Sequence, residues 1–160
     1  MLVLSTQLLD ELAARAAASP RGRAHHTVHA GNDDLVQRFF VAATRNSYFR
    51  PHRHHTKSEL VIVIRGGFDV LTFDDAGVVQ GRWAIGEGQA AFAYETPRAT
   101  WHSLLARQDG SVFAEVKEGP YDPATAVDFA PWAPAEGDPA AAACREWIRN
   151  ARPGDRFNAA

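Results

Sequence analysis

Residues 48 to 66 hold the side chains best suited to chemistry: Tyr-Phe-Arg-Pro-His-Arg-His-His-Thr-Lys-Ser-Glu-Leu-Val-Ile-Val-Ile-Arg-Gly. His52 and His54 stand two apart, a spacing that turns both rings to one face of an extended strand. Glu59 opens the apolar run that follows, and a loop between His54 and Glu59 lets its carboxylate return on the neighbouring strand beside the rings. Two imidazoles and a carboxylate form a ligand set suited to Fe(II), Mn(II), Ni(II) or Zn(II). A further ligand is expected from His102, in Thr96-Pro97-Arg98-Ala99-Thr100-Trp101-His102, where Pro97 and Ala99 suit a tight turn into a strand. Three imidazoles and one carboxylate around an octahedral ion leave two positions open for water, dioxygen or a chelating substrate. Open positions separate a working site from a structural one.

Other groups can be placed around that centre by parity. Tyr48 and Arg50 share the parity of His52 and are expected to face the cavity. Arg50 could clamp a carboxylate or phosphate in two-pronged fashion, or make a surface salt bridge. In Ser111 to Lys117, one face carries Val112, Ala114 and Val116, and the other Phe113, Glu115 and Lys117. The charged face is either solvated or lines the metal cavity, where Glu115 and Lys117 would form an acid–base pair. Three histidines fall in five residues, His25-His26-Thr27-Val28-His29. A polar edge strand explains them as well as a second metal site does, and His29 is the one best placed to reach the main site. His55 is expected on the opposite strand face from His54. Trp83, Phe92 and Trp101 read as core, Trp132 as packing or a lid, and Cys144 as a small buried hydrophobe.

The order His-x-His, Glu, Gly and then Pro-x-x-x-x-His resembles the two motifs of the cupin superfamily. A closer resemblance is to the WbuC-type cupin-fold metalloproteins, which occur near bacterial genes for surface-polysaccharide synthesis. It is carried by Tyr48-Phe49-Arg50-Pro51-His52-Arg53-His54, Phe73-Asp74-Asp75-x-Gly77, Trp101-His102, Phe113-x-Glu115-Val116-Lys117-x-Gly119-Pro120-Tyr121 and Asp128-Phe129-Ala130-Pro131-Trp132-Ala133-Pro134. It runs from about Arg21 to the C-terminal helix. It implies a cupin-like β-barrel (jelly roll), a homodimer, and one divalent metal ion acting on an oxygen-rich ligand such as a sugar or nucleotide-sugar derivative. Isomerisation and oxidation by dioxygen both fit such a ligand shell. A non-catalytic binding or sensor module is the alternative, and a metal-free epimerase-like cupin using His and Tyr is a third. The general cupin pattern has Gly where this chain has Ala91 and Ala99, and Ala at a turn position of positive φ would be strained.

The elements that must position these residues are short. Alternation and steady turn signals argue eight or nine strands in a mainly β barrel or sandwich. Expected strands include Leu35 to Thr44, Phe68 to Phe73, Val78 to Ile85, Gln89 to Tyr94, Arg98 to Ala106 and Ser111 to Lys117. Residues 1–20 read as a helical arm capped by Ser5 or Thr6. Residues 21–136 read as the barrel with a Pro-rich cover, and 137–152 as a final helix capped by Asp138 and opened by Pro139. Nothing past Arg152 looks structured.

The 160 residues suit one domain, and 46% hydrophobic with 22% charged residues is ordinary for a globular protein. A net charge of -2 provides no basic field for nucleic acid or an anionic membrane. No apolar stretch approaches the ~20 residues needed to span a bilayer. The first residues lack a basic run before an apolar one, so no secretory signal is expected. A lone Cys144 fits a reducing cytoplasm.

Overall fold

A computed structural model describes residues 1–158. Its strands are β1 (Arg23–Thr27), β2 (Val36–Ala43), β3 (His52–Arg53), β4 (Glu59–Arg65), β5 (Gly67–Phe73), β6 (Val79–Gly86), β7 (Ala93–Thr96), β8 (Trp101–Ala106), β9 (Ser111–Glu118) and β10 (Asp128–Phe129). Helix α1 (Thr6–Ala18) precedes them and α2 (Ala141–Asn150) follows. The strands form two antiparallel sheets, ordered β1-β2-β9-β4-β7 and β10-β3-β8-β5-β6. Their inner faces meet as a jelly roll.

Period-two alternation explains how one chain covers three apolar layers. On β8, Leu104 and Ala106 point inward to join Val41, Val61, Phe68, Val70, Ile85 and Phe113 between the sheets. Its other parity, Trp101 and Leu105, points outward to Leu71, Phe73, Val79, and Cys144 and Ile148 of α2. On the far side, Leu9, Leu12 and Ala16 of α1 pack on Ala42 and Val112. Ser5 caps α1, its Oγ accepting from the N–H of Leu8 at 3.3 Å.

Several expectations are corrected. The seventh strand begins at Ala93, not Gln89, and Phe92 stands 69% exposed while Trp83 is 51% exposed. Both lie at sheet edges, whereas Trp101 is core. Helix α2 starts at Ala141 with no side-chain cap, because Asp138 instead closes a turn by accepting from the N–H of Ala140 at 2.8 Å. Residues 153–157 run against β6 and α2: the N–H of Val79 donates to Asp155 O at 2.9 Å, and Phe157 packs on Trp147. Trp132 packs on Phe73, with ring centres 5.1 Å apart.

Arg82 ties α2 down. Its guanidinium donates to the carbonyls of Ile148 (2.8 Å), Arg149 (2.8 Å) and Ala151 (3.1 Å) at the helix end, and pairs with Asp69 at 2.7 Å. These are the carbonyls a helix leaves without internal partners. Replacing Arg82 with Met should lower stability by about 2 kcal/mol, the order for losing charge-assisted hydrogen bonds. Urea unfolding checks this, with the contents of the barrel unaffected. A variant as stable as the parent would show that packing alone holds α2.

Candidate metal centre and cavity

The two sheets meet at four side chains. His52 lies on β3 directly opposite His102 on β8, within one sheet. His54 stands just past the end of β3, and Glu59 begins β4 in the other sheet. The ring centres of His52 and His102 are 4.3 Å apart, those of His52 and His54 5.2 Å, and those of His54 and His102 5.8 Å. One ligating nitrogen from each of the three rings falls within 4.8 Å of the others. Glu59 reaches across, with Oε1 2.9 Å from His102 Nε2 and Oε2 3.2 Å from His54 Nε2.

The ring orientations are fixed from behind. His52 Nδ1 lies 2.9 Å from Arg50 O, His54 Nδ1 2.5 Å from Ala126 O, and His102 Nδ1 2.9 Å from Thr100 O. A main-chain carbonyl can only accept, so each Nδ1 carries the proton and each Nε2 presents a lone pair when the ring is neutral. Nε2 of His54 and of His102 are buried and lack an aligned hydrogen-bond partner, despite the nearby carboxylate. Ligand bonds of ~2.1 Å put neighbouring octahedral ligands roughly 3 Å apart, so the Glu59 contacts have the spacing of atoms sharing an ion. Three imidazoles and one carboxylate, oriented by carbonyls behind, fit a divalent transition ion.

Burial and the neighbouring His102 push the His52 pKa down to about 3, which keeps that ring neutral. Burial alone would raise Glu59, but the charge of His102 and the close approach of the His102 and His54 rings hold it well below the usual carboxylate range. Burial works against the His102 cation, yet the negative charge of Glu59, 2.9 Å away, raises its pKa.

Beside the centre opens a cavity of about 580 Å³. Its floor comes from strand register. Lys117 sits opposite Glu59 across β9 and β4, and Glu115 opposite Val61, which is itself opposite Tyr94. Glu115 and Lys117 both line the cavity, with Lys117 Nζ 2.7 Å from Glu115 Oε1. That contact has the distance of an ion pair but not the alignment of a hydrogen bond. Burial and the charge of Glu59 push Glu115 up to about 7, against the pull of Lys117. Burial opposes the Lys117 cation, but Glu115 and Glu59 outweigh it and raise its pKa.

The remaining expected residues fall in different places. Arg50 lines the cavity, but its Nε and Nη2 donate to Ala133 O (3.1 Å) and Ala130 O (3.2 Å). It anchors the cover segment as much as it faces a ligand. His29 also lines the cavity, with its Nδ1 accepting from the N–H of Arg38 at 2.9 Å. Tyr48 does not line the cavity. Its hydroxyl donates to Pro134 O at 3.1 Å, and its ring packs with Leu71 and Trp101. The parity argument fails for it because the strand starts only at His52, so residues 48–51 do not alternate. His55 is turned outward to Asp128, 2.9 Å away. Tyr94 and Arg23, which carried no assigned role in the sequence, also line the cavity, as does His25 from the edge strand β1. Tyr94 shares the parity of Thr96 beside Glu59, a signal that a misplaced β7 concealed.

These features define a cupin-like fold: a jelly roll with a histidine and carboxylate cluster where its two sheets meet. By sequence the chain belongs to the family described as "Domain of unknown function (DUF6016)", whose model matches residues 4–85. A search of curated proteins gives no match. Among solved structures it is similar to KdgF from Halomonas sp., at 18% identity and a TM-score of 0.50, covering 65% of this chain and 84% of that one. It is also similar to a recombinant oxalate oxidase in complex with glycolate, at 17% identity and 0.52, covering 72% of this chain and 59% of that one. A third is the capsular polysaccharide assembling protein CapF from Staphylococcus aureus, at 18% and 0.51, covering 61% of this chain and 27% of that one. At these identities the likeness establishes the shared cupin fold. No helix among the described residues is long and apolar enough to cross a membrane.

The turn that feeds β8 contains Ala99 at φ 59°, while its N–H donates to His54 O at 2.7 Å. The strained position thus braces the segment that carries His54. A left-handed conformation costs an L-residue ~1–2 kcal/mol, and glycine gives back part of that as unfolded-state entropy. Ala99→Gly should therefore stabilise the protein by up to about 1 kcal/mol, read by urea or thermal unfolding. A loss of stability would mean the turn is not strained.

Proposed function

We propose that this protein is a metal-dependent cupin enzyme holding one divalent ion (Fe, Mn, Ni or Zn) on His52, His54, Glu59 and His102. Its ligand is an oxygen-rich small molecule such as a sugar or nucleotide-sugar derivative, and its reaction an isomerisation or an oxidation by dioxygen. The observation that carries the reading is the pair of buried, unpartnered Nε2 atoms beside the two Glu59 oxygens. Leaving such atoms without a partner is costly unless something accepts their lone pairs. When bound, the ion polarises a substrate oxygen as a Lewis acid.

The chain's own groups do the rest. Glu115, with its pKa near neutrality, can take or return a proton at a carbon or hydroxyl presented to the cavity floor. Lys117, 2.7 Å away, stabilises the carboxylate after the proton leaves it. Phe39, Val61 and Phe113 form the apolar wall that limits water around this pair. His29 and Arg50 are the proposed ligand contacts, both on the cavity surface.

WbuC-type kinship, with a bacterial role in surface-polysaccharide synthesis, belongs to the same proposal. It is supported by the five motifs and by the likeness to CapF, which by its name assembles capsular polysaccharide. A homodimer is supported by apolar Leu60 and Ile64 left open on the outer side of β4, with Phe92 also exposed just before β7. The unbridged, buried Cys144 accords with a reducing cytoplasm.

Metal analysis of protein purified without added ions tests the ligand assignment. The parent and His55→Ala should carry near-stoichiometric metal, and His54→Ala should lose most of it. Equal metal in both variants would sink the assignment. Glu115→Gln should keep its metal and lose about 100-fold or more in turnover of the substrate that the parent converts, the usual scale for a general acid–base group. Unchanged turnover would remove Glu115 from the mechanism.

A further inference from the structure

One contact at the cavity is unexplained by the metal centre. Glu136, from the Pro-rich cover, places its carboxylate among the cavity-lining residues. Arg21 Nε donates to Glu136 Oε2 at 2.7 Å, and Arg23 Nη2 donates to Glu136 Oε1. Both carboxylate oxygens are thus gripped by two different guanidinium groups, the arrangement with which proteins recognise an anionic ligand. Glu136 responds as a bound anion would. Burial opposes its charge, yet hydrogen bonds from Arg21 and Arg23 hold its pKa below the usual carboxylate range.

The grip is preformed. The Arg23 side chain is only 8% exposed, lies over the Phe49 ring with its guanidinium carbon 4.9 Å from the ring centre, and donates to Tyr48 O at 3.0 Å. Those contacts hold the group in place whether or not Glu136 is there. Arg21 is 58% exposed and Glu136 32%, so the anion's side of the cluster is the one that can open. Four cationic side chains line the cavity, Arg21, Arg23, Arg50 and Lys117, against three carboxylates, Glu59, Glu115 and Glu136. The balance is positive before any metal is counted, and moving Glu136 aside makes it more so. A cavity of about 580 Å³ suits a ligand of sugar size.

We propose that Arg21 and Arg23 form an anion subsite of this cavity, that Glu136 occupies it as an internal competitor, and that the ligand carries a carboxylate or phosphate that displaces Glu136. This deepens the small-molecule reading above by giving the ligand a charge. The subsite itself stands on guanidinium geometry and needs no metal. The cover segment then acts as a charge sensor, since an anionic ligand releases Glu136 whereas a neutral one leaves it in place.

The test measures binding by titration calorimetry with three probes of related shape: D-glucuronate, D-glucose 6-phosphate and D-glucose. Parent, Glu136→Gln and the double variant Glu136→Gln with Arg21→Met are compared, with metal content read on each sample. Glu136→Gln should bind one of the two anionic probes about fivefold or more tighter than the parent, the scale of removing a partly exposed ion pair. D-Glucose should be unaffected, and the added Arg21→Met should cancel the gain. The probe that gains tells carboxylate from phosphate. Equal affinity of the parent and Glu136→Gln for both anions overturns the proposal and leaves Glu136 as a tether for the cover. A gain that survives Arg21→Met, or that D-glucose shares, overturns it too. Repeating the comparison in His54→Ala separates the two readings. A gain there without metal upholds the subsite independently, and normal metal in the parent with no anion gain leaves only the metal centre.

Discussion

Everything in this barrel's interior depends on the way Nε2 of His54 and His102 are held towards Glu59 without aligned hydrogen bonds. Three main-chain carbonyls, of Arg50, Thr100 and Ala126, fix the rings from the other side. Those carbonyls come from three separate segments, so the site can form only when β3, the turn before β8 and the Pro-rich cover are all in place. The carboxylate comes from the opposite sheet, which makes the cluster a joint between the two halves of the jelly roll. Burying such groups is expensive unless they are compensated, and the ion proposed above, shared by the four, would provide that compensation.

The cavity follows from the same alternation that builds the core. On β9, Phe113, Glu115 and Lys117 share one face. Phe113 joins the apolar interior, while the two charged residues meet the cavity further along. On β4 the order is reversed by antiparallel pairing: Glu59 is at the polar end and Val61 at the apolar one. Each inner face therefore changes from hydrocarbon to charge along its length. Low local polarity from the apolar end raises the cost of charge at the other, which is why the Glu115 pKa is driven up, while Lys117 stays charged because the Glu115 and Glu59 carboxylates outweigh that cost.

Much of this is legible in the residues. The spacing of His52, His54, Glu59 and His102 marks a ligand set, and alternation in Ser111 to Lys117 places Glu115 and Lys117 on one face. Both are local signals that a strand enforces mechanically. What is not legible depends on where strands stop. Alternation carried back from His52 puts Tyr48 in the cavity, but residues 48–51 are not strand, and Pro51 precedes β3 directly. Tyr94 escapes notice because the apolar run Ala90 to Ala93 looks like strand, whereas pairing with β4 starts at Ala93. The grip of Arg21 and Arg23 on Glu136 joins residues more than a hundred positions apart, and no spacing rule reports such a contact.

The most direct measurement is an anomalous difference map from crystals of the protein, collected on both sides of the absorption edge of whatever metal it carries. One strong peak is expected within about 2.2 Å of Nε2 of His52, His54 and His102 and of an oxygen of Glu59, the usual reach of such bonds. A peak on His25, His26 or His29 instead, or no peak with the four side chains still clustered, would contradict a shared ion at the joint between the sheets.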